Sequence, residues 1–172
     1  MSVTRTVRVA SAADVGALAA VLDTIELFPS AMLEEMIAPF LADGSDDLWL
    51  VVGEEDASAE DGGESGALGL AFCEPERMTD GTFNLLALGV RADRQGEGLA
   101  SAMIDDLEDR LRSNGGRVLI VETSGLPEYE TVRGLYERRG FTRQATIPEF
   151  YAAGEDKVVF WKKLAPDGRR HP

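Results

Sequence analysis

The segment that most restricts how this chain can fold is a predicted strand, a glycine-rich turn and an amphipathic helix in direct succession. Residues 82–90 predict the strand, and Gly96 and Gly98 lie in the turn. Apolar residues then recur at the three- and four-residue spacing of a helix: Leu99, Met103, Ile104, Leu107 and Leu111. Glycine lets a ligand reach backbone amides that a Cβ would shield. Because the first amides of a helix have no acceptor within it and lie at the positive end of its dipole, this segment predicts an anion site suited to phosphate.

A βα turn that needs two glycines for its geometry alone would have the same sequence. The turn is not the dinucleotide-binding fingerprint, which requires three glycines and a later acidic residue for the ribose. It is not a P-loop either, because no Gly-Lys-Ser/Thr follows it. A backbone nest can still bind an anion in an acidic protein, since nearby groups outweigh distant, screened charges.

The rest of the chain combines strand and helix patterns. Strands are expected at residues 5–10, 48–52, 67–72, 117–123, 142–147 and 157–162. Helices are expected after the capping-box sequence at residues 11–14, over residues 33–41 and over residues 129–139. This order predicts a mixed α/β fold in which helices cover the faces of one sheet.

The length of 172 residues favours one domain, which we place at residues 1–164. Residues 54–66 contain six acidic residues and no basic or large apolar residue, which predicts a flexible acidic loop. A docking site for a cationic partner is the alternative interpretation of that loop. Residues 165–172 are expected to form a disordered C-terminal tail.

Composition excludes several kinds of chemistry. Cys73 is the single cysteine and His171 the single histidine, which argues against an internal disulfide, a zinc cluster and a Ser-His-Asp triad. We therefore expect no metal.

The formal charge of −14 opposes binding to nucleic acid or to an anionic membrane. No apolar run is long enough to span a membrane and the N-terminus has no signal core, so we expect a cytoplasmic protein.

Two motifs together resemble the GCN5-related N-acetyltransferase (GNAT) family. Residues 95–100, Gln-Gly-Glu-Gly-Leu-Ala, are similar to that family's Gln/Arg-x-x-Gly-x-Gly/Ala motif, and they stand after the fourth strand and open the third helix. Residues 135–141 resemble its Leu-Tyr-x-x-x-Gly-Phe segment. The predicted order of elements is also the family's. The resemblance implies a mostly antiparallel sheet of about seven strands, about four helices on its faces, and a fourth and a fifth strand that splay apart.

The resemblance implies acetyl-CoA as the co-substrate, bound where the fourth and fifth strands separate. Its pantetheine arm would pair with the backbone of Leu88, Gly89 and Val90 like an added strand. Gln95 would begin the loop that holds the pyrophosphate, and either Arg91 or Arg94 would contact the 3′-phosphate. The amides that would bind the pyrophosphate belong to Gly96, Glu97, Gly98, Leu99, Ala100 and Ser101.

Tyr136 matches the family's tyrosine near the CoA sulfur. A phenol is protonated at neutral pH and would protonate or hydrogen-bond the leaving thiolate. A core aromatic is the alternative interpretation. The family often has an asparagine seven residues before this tyrosine, but here Tyr129 stands at that position, so we assign no cofactor contact between residues 123 and 129.

Glu122 follows an apolar strand and corresponds to the glutamate that some relatives use as a general base. An acid that is solvated or paired with an arginine is the alternative. The rival candidates for the base are Glu74, Asn84, Glu128 and Glu149. Phe150, Tyr151 and residues 154–156 form either part of the acceptor wall or a turn with core aromatics.

The function that the resemblance implies is direct transfer of an acetyl group from acetyl-CoA to a primary amine of a small molecule or peptide. The acidic composition favours a cationic acceptor. A non-catalytic acyl-CoA-binding sensor or interaction module on the same fold is the main alternative, and a phosphate-binding α/β protein unrelated to CoA is a third. Dimers are common in the family, so the resemblance also allows a homodimer.

Overall fold

A seven-stranded mixed sheet and four helices make up the described part of the chain. The structure, a computed structural model, describes residues 3–56 and 66–164. Its strands are β1 (Val3–Val9), β2 (Leu48–Asp56), β3 (Ala67–Pro75), β4 (Thr82–Val90), β5 (Val118–Ser124), β6 (Thr142–Ala152) and β7 (Glu155–Lys163). Its helices are α1 (Val15–Leu22), α2 (Leu33–Leu41), α3 (Leu99–Ser113) and α4 (Glu130–Arg138). The strand order is β1-β2-β3-β4-β5-β7-β6, which confirms the predicted α/β fold.

The sheet is mostly antiparallel, but β4 and β5 run parallel. Their ladder joins four residue pairs, from Thr82 with Val118 to Leu85 with Val121. Both strands continue past the last pair, β4 to Val90 and β5 to Ser124. The early end of this ladder agrees with the expected splay of the two strands.

The chain divides into two compact units, and the division passes through β4 and α3. The first unit comprises residues 1–73 and 87–107. In its core, α1 and α2 pack with residues of β2 and β3, and the rings of Trp49 and Phe72 stack with their centroids 4.3 Å apart. Cys73 is fully buried on β3. Complete burial of each large apolar side chain contributes roughly 1.5–3 kcal/mol.

A buried carboxylate, that of Asp14, lies at the N-terminal end of α1. Asp14 accepts hydrogen bonds from the Ser11 amide at 2.8 Å and from the Arg8 guanidinium at 2.8 and 2.6 Å. The Arg8 hydrogen bond is the main cause that lowers the pKa of Asp14 to about 2. The capping-box prediction is therefore confirmed, and a charged hydrogen bond to Arg8 adds to the cap.

The second unit comprises residues 74–86 and 108–172. Within it, β7 pairs antiparallel with both β5 and β6. Its buried polar network centres on Glu108, which accepts hydrogen bonds from Lys162 at 2.6 Å and Arg112 at 2.7 Å. Lys162 also donates to the carbonyl oxygen of Arg139, just past the end of α4, at 2.6 Å. These contacts satisfy a charge that would otherwise be costly to bury.

The apolar periodicity of α3 is confirmed, because all five residues that predicted the helix are buried. After the helix, Gly115 has a φ of 80°, and the Gly116 amide donates to the Leu111 carbonyl at 2.7 Å. A helix end of this kind favours glycine because the backbone enters the left-handed region. In the described part of the chain, no helix is both long and apolar enough to cross a membrane.

Several strands are longer than the sequence predicts. Strand β2 continues to Asp56 into the acidic stretch, β3 continues to Pro75, and β6 continues to Ala152. The other part of the expected acidic loop, residues 57–65, and the expected tail, residues 165–172 with His171, lie outside the described residues.

Candidate active site

The loop between β4 and α3 has the backbone geometry that its glycines predict. A 3₁₀ turn over Ala92–Arg94 follows β4, and α3 begins at Leu99. Gly96 and Gly98 have φ values of 80° and 81°. A Cβ built on either glycine would have no heavy atom within 4 Å. Glycine is therefore favoured by the left-handed backbone and not by crowding, and the outer face of the loop is open.

The start of α3 leaves several amides without a helical partner. Among the described residues, the first helical hydrogen bond runs from the Ala102 amide to the Gly98 carbonyl at 3.0 Å. The amides of Leu99, Ala100 and Ser101 precede it, as expected for the first turn of a helix. The side chain of Gln95 donates to the Val90 carbonyl at 3.2 Å and so closes the loop on the end of β4. A backbone of this kind is suited to binding an anion.

Four charged side chains surround this loop and largely neutralise one another. Arg94 donates to Glu97 at 2.8 Å and also binds Glu54, while Arg5 binds Glu97. The Arg94 guanidinium holds the pKa of Glu54 and of Glu97 below their ordinary values. The carboxylate of Glu97, which would repel a pyrophosphate, is thus paired with two cations.

The two arginines considered for the 3′-phosphate both carry carboxylate partners. Arg91 binds Asp93 at 2.6 Å and lowers its pKa, whereas Arg94 belongs to the cluster just described. Arg91 is partly exposed at 32%, and Arg94 is more covered at 17%.

The end of β4 is packed closely against its neighbours at two glycines, one on β3 and one on β4. A Cβ on Gly69 of β3 would lie 2.6 Å from the Gly89 carbonyl oxygen. A Cβ on Gly89 would lie 2.5 Å from Cδ1 of Ile25, in the segment after α1. The Thr24 hydroxyl of that segment accepts a hydrogen bond from the Ala92 amide at 3.1 Å. Close packing therefore joins the α1–α2 segment to the end of β4 and to the loop.

In the second unit, Tyr136 is buried on α4, with 4% of its surface exposed. Its ring lies 5.7 Å from that of Phe141 and 5.6 Å from that of Phe160. Burial raises the pKa of the Tyr136 hydroxyl. Because its pKa is raised above the ordinary value, the hydroxyl stays protonated at neutral pH. It has no hydrogen-bond partner among the described residues, so it is available to donate.

Glu122 forms an ion pair with a lysine that the sequence pattern did not indicate. The register of β5 and β7 places Glu122 opposite Val159, which makes Lys157 a diagonal neighbour. Lys157 Nζ lies 2.9 Å from Glu122 Oε2 and 3.6 Å from the centre of the Phe150 ring. The Lys157 side chain is 9% exposed and that of Glu122 is 29% exposed. Glu122 is therefore paired, although with a lysine and not with an arginine.

Phe150 and Tyr151 belong to an irregular part of β6 and not to a turn with core aromatics. The register with β7 shifts between Ile147 and Ala152, and Glu149 has a φ of 49°. Phe150 and Tyr151 are 50% and 45% exposed, and their rings meet edge to face. Burial and the negative charges of Glu122 and Glu155 raise the pKa of Tyr151.

The rival candidates for the base have different surroundings. Asn84 is buried, and its Nδ2 donates to Glu76 at 2.8 Å. Glu149 accepts a hydrogen bond from the Gly154 amide at 3.2 Å, and Glu128 is exposed before α4. Glu74 is half-buried at the end of β3. Glu122 differs from them in its ion pair with Lys157, the lysine that lies over the Phe150 ring.

A family model for GNAT acetyltransferases matches residues 20–141, which cover both motifs and strands β2 to β5. The chain belongs to the GNAT acetyltransferase family. A comparison with curated protein sequences gave no match.

Solved GNAT structures match the chain over nearly its whole length. A proposed GNAT acetyltransferase from Desulfovibrio desulfuricans has 28% identity and a TM-score of 0.80, over 95% of this chain and 100% of that one. A proposed acetyltransferase from Salmonella typhimurium, solved with its cofactor acetyl-CoA, has 19% identity and a TM-score of 0.71, over 98% of each chain. An N-acetyltransferase from Staphylococcus aureus has 16% identity and a TM-score of 0.73, over 94% of this chain and 99% of that one. The last two show similarity of fold alone.

GNAT membership accounts for the loop motif, but sequence reasoning missed the partners of the site residues. Lys157, Thr24, Arg5 and Glu54 all lie outside the motifs in sequence. Only the scarcity of lysine in the sequence gave a signal for Lys157, which is one of three. Within residues 3–56 and 66–164, no group of three or more His, Cys, Asp or Glu side chains is arranged to hold a metal ion.

Proposed function

We propose that this GNAT protein transfers the acetyl group of acetyl-CoA to the nitrogen of a primary amine. The observation that carries the proposal is the open loop at Gly96 and Gly98, whose amides at the start of α3 are free to bind phosphate oxygens. The family relation and the Salmonella structure with its acetyl-CoA support the same donor.

The loop residues bind and orient the donor. Backbone amides from Gly96 to Ser101 receive the pyrophosphate at the positive end of the α3 dipole. The backbone of Leu88, Gly89 and Val90 pairs with the pantetheine arm. Arg5 and Arg94 neutralise Glu97, so its charge does not oppose phosphate binding.

The reaction forms a nitrogen–carbon bond and breaks the carbon–sulfur bond of the thioester. The acceptor arrives as an ammonium ion, and its nitrogen needs a free electron pair to attack. Glu122 accepts a proton from that nitrogen, directly or through water. Tyr136 donates a proton to the leaving sulfur, and its raised pKa keeps that proton in place until then. As the amide forms, the nitrogen loses its second proton, which restores the phenol of Tyr136. Positioning of the two substrates supplies the larger part of the acceleration.

Calorimetric titration with acetyl-CoA tests the donor, with Gly98→Leu as the variant and Gly115→Leu as its matched control. Both glycines have nearly the same φ, 81° and 80°, and neither has a heavy atom within 4 Å of a built Cβ. Both variants therefore place leucine at a left-handed position of nearly the same φ, and only the first shields the loop amides. We expect Gly98→Leu to lose acetyl-CoA binding and Gly115→Leu to keep it.

Thiol release with a panel of primary amines then tests catalysis. No binding of acetyl-CoA by the unaltered protein, at low and at high salt, would contradict the proposal. Binding without turnover on any amine would instead favour the acyl-CoA-binding module, and preference for free nucleotides over CoA would favour an unrelated phosphate-binding protein.

A further inference from the structure

Lys157 lies on β7, and the backbone of that strand is paired on both sides. Strand β7 runs between β5 and β6, and Lys157 is opposite Ser124 on β5 and Ile147 on β6. In the part of the chain that the structure describes, Lys157 is the one basic residue that is buried. A lysine normally extends its ammonium into water, so a buried lysine requires an explanation.

Two groups hold the ammonium of Lys157 in place. Its Nζ lies 2.9 Å from Glu122 Oε2 and 3.6 Å from the centre of the Phe150 ring. The carboxylate attracts the cation by its charge and the ring by its π electrons. Because the backbone and the ammonium of Lys157 are both fixed, the lysine in turn fixes the direction of the Glu122 carboxylate.

Stability of the fold does not require a charge at this position. Replacing a buried ion pair by apolar side chains of similar size often costs no stability, because charges lose their hydration on burial. Glu108, for comparison, is buried and is bound by both Lys162 and Arg112. Glu122 is partly exposed, and among the described residues Lys157 is its one ionic partner. A buried cation beside a carboxylate that solvent can reach indicates a role at that carboxylate.

We propose that Lys157 is a positioning residue for the base, and that it holds Oε2 of Glu122 so that Oε1 faces the acceptor nitrogen. The inference rests on the proposed function, which assigns the base to Glu122. Among the described residues, Oε1 has no hydrogen-bond partner. In the reaction Oε1 accepts the proton from the acceptor nitrogen or from an intervening water, and Lys157 keeps its own protons. The direction is important because a misplacement of about 1 Å can lower a rate about a hundredfold.

A lysine is suited to this role and an arginine is not. An ammonium donates from one nitrogen, so it can bind one oxygen of a carboxylate and leave the other free. A guanidinium binds both oxygens in parallel and would cover the base. Lys157→Arg should therefore lower kcat at least about fivefold although it keeps the charge. Full kcat in this variant would overturn the proposed division between the two oxygens.

A double-mutant cycle tests whether Lys157 acts through Glu122. Thiol release gives kcat with whichever of spermidine, ethanolamine and 2-phenylethylamine has the highest kcat/KM. Lys157→Met should lower kcat about tenfold and change KM for acetyl-CoA less than about twofold. In Glu122→Gln the same substitution should change kcat less than about twofold, because the base that Lys157 directs is absent. Equal losses with and without Glu122 would show a structural role and overturn the inference.

Lys162→Met is the matched control. Lys162 also lies on β7, pairs with a carboxylate at 2.6 Å and has its ammonium 5.4 Å from the centre of a phenyl ring, that of Phe141. This variant should lose stability in urea denaturation without the tenfold fall in kcat. Lys163→Met, at an exposed position, is a second control if Lys162→Met does not fold. A folded control with the same fall in kcat as Lys157→Met would contradict the assignment.

Lysine resonances provide a test that needs no turnover. The sequence has three lysines, Lys157, Lys162 and Lys163, so protein labelled with carbon-13 at lysine Cε gives one signal for each. We expect the Lys157 signal to be displaced by the ring current of Phe150 and to move in Glu122→Gln, while the Lys163 signal stays in place. A Lys157 signal that is the same with and without the Glu122 carboxylate would overturn the inference and leave acetyl transfer intact.

The inference and the proposed function fail in different ways. Equal kcat of Glu122→Gln and the unaltered protein would remove the base, and the inference with it, but acetyl transfer would stand. No turnover of any amine would overturn the proposed function together with the role of Lys157 in it. A fall in kcat for Lys157→Met that disappears in Glu122→Gln, with the expected change in the Lys157 signal, would support both.

Discussion

Lys157 holds Glu122 at 2.9 Å, and the same ammonium lies 3.6 Å above the Phe150 ring. One buried cation thus joins the proposed base on β5 to the irregular part of β6. The pairing leaves Glu122 29% exposed, so the carboxylate is oriented by Lys157 and still reachable from solvent.

Glu122→Gln keeps the size of the side chain and removes its proton-accepting charge. We expect kcat to fall by about a hundredfold, as for the loss of a general base, while acetyl-CoA affinity stays the same. Steady-state thiol release together with calorimetry measures both quantities. Glu137→Gln, at an exposed position on α4, is the control and should retain full activity. If the two variants have the same kcat, Glu122 is not the base.

Tyr136→Phe should leave the fold intact, because the ring contacts with Phe141 and Phe160 remain and the hydroxyl has no described partner to lose. We expect kcat to fall by about tenfold or more when the proton donor is removed. The raised pKa of Tyr136 gives a second expectation. Since the phenol stays protonated, its ionisation should cause no loss of activity up to about pH 10. A loss of activity below pH 10 that occurs in the unaltered protein and is absent from Tyr136→Phe would contradict this expectation.

Arg94→Met should weaken acetyl-CoA binding by about fivefold, because Glu97 and Glu54 would then face the phosphate site with one cation fewer. Added salt should reduce the difference, since the charges are near the surface. Titration at two ionic strengths measures both effects. Arg77→Met, at an exposed residue between β3 and β4, should bind as the unaltered protein does. Equal affinity of Arg94→Met and the unaltered protein at low salt would show that the cluster has no role in binding.

Asp14→Asn should destabilise the protein by about 2 kcal/mol at neutral pH, which is the free energy that corresponds to a pKa lowered from 3.8 to about 2. The folded state lowers this pKa, so its stabilising contribution is present above pH 4 and disappears as the pH falls towards 2. Urea denaturation at pH 7, 4 and 2.5 should therefore show the two proteins converging. A difference that stays constant over this range would rule out the Arg8 contact as its source.

Gly69→Ala and Gly89→Ala should differ in their effect on stability, although both Cβ atoms would meet a neighbour near 2.5 Å. At Gly69 the neighbour is the backbone oxygen of Gly89, whereas at Gly89 it is the end of the Ile25 side chain. Because a side chain can move and a strand backbone cannot, we expect a loss of about 3 kcal/mol for the first and about 1 kcal/mol for the second. Urea denaturation of both variants measures the difference. The reverse order would contradict the packing described at the end of β4.

Local patterns predicted the elements well where one property determines them. The spacing of apolar residues predicted α3, and the loop glycines predicted its left-handed turn. The length of β6 was underestimated because Pro148 and Glu149 indicate a break, whereas pairing with β7 continues the strand to Ala152 around a bulge. Such a bulge depends on the partner strand, which local sequence does not contain.

In the candidate site, too, local sequence predicted some features, whereas contacts between distant residues were missed. Tyr136 and the loop amides follow from motifs, but the contact between Glu122 and Lys157 depends on the register of β5 and β7. Likewise, the bond from Ala92 to Thr24 joins residues 68 positions apart. Periodicity and composition describe each segment separately, so they do not predict contacts that depend on tertiary packing.

Cys73 is the chain's single cysteine and is fully buried on β3. A thiol reagent added to follow CoA release will therefore react quickly with CoA and only slowly with the protein, at a rate limited by the opening of β3. The rate of the slow phase in each assay therefore measures local unfolding in the first unit. A single assay can thus distinguish a variant that releases CoA more slowly from one in which β3 opens more readily.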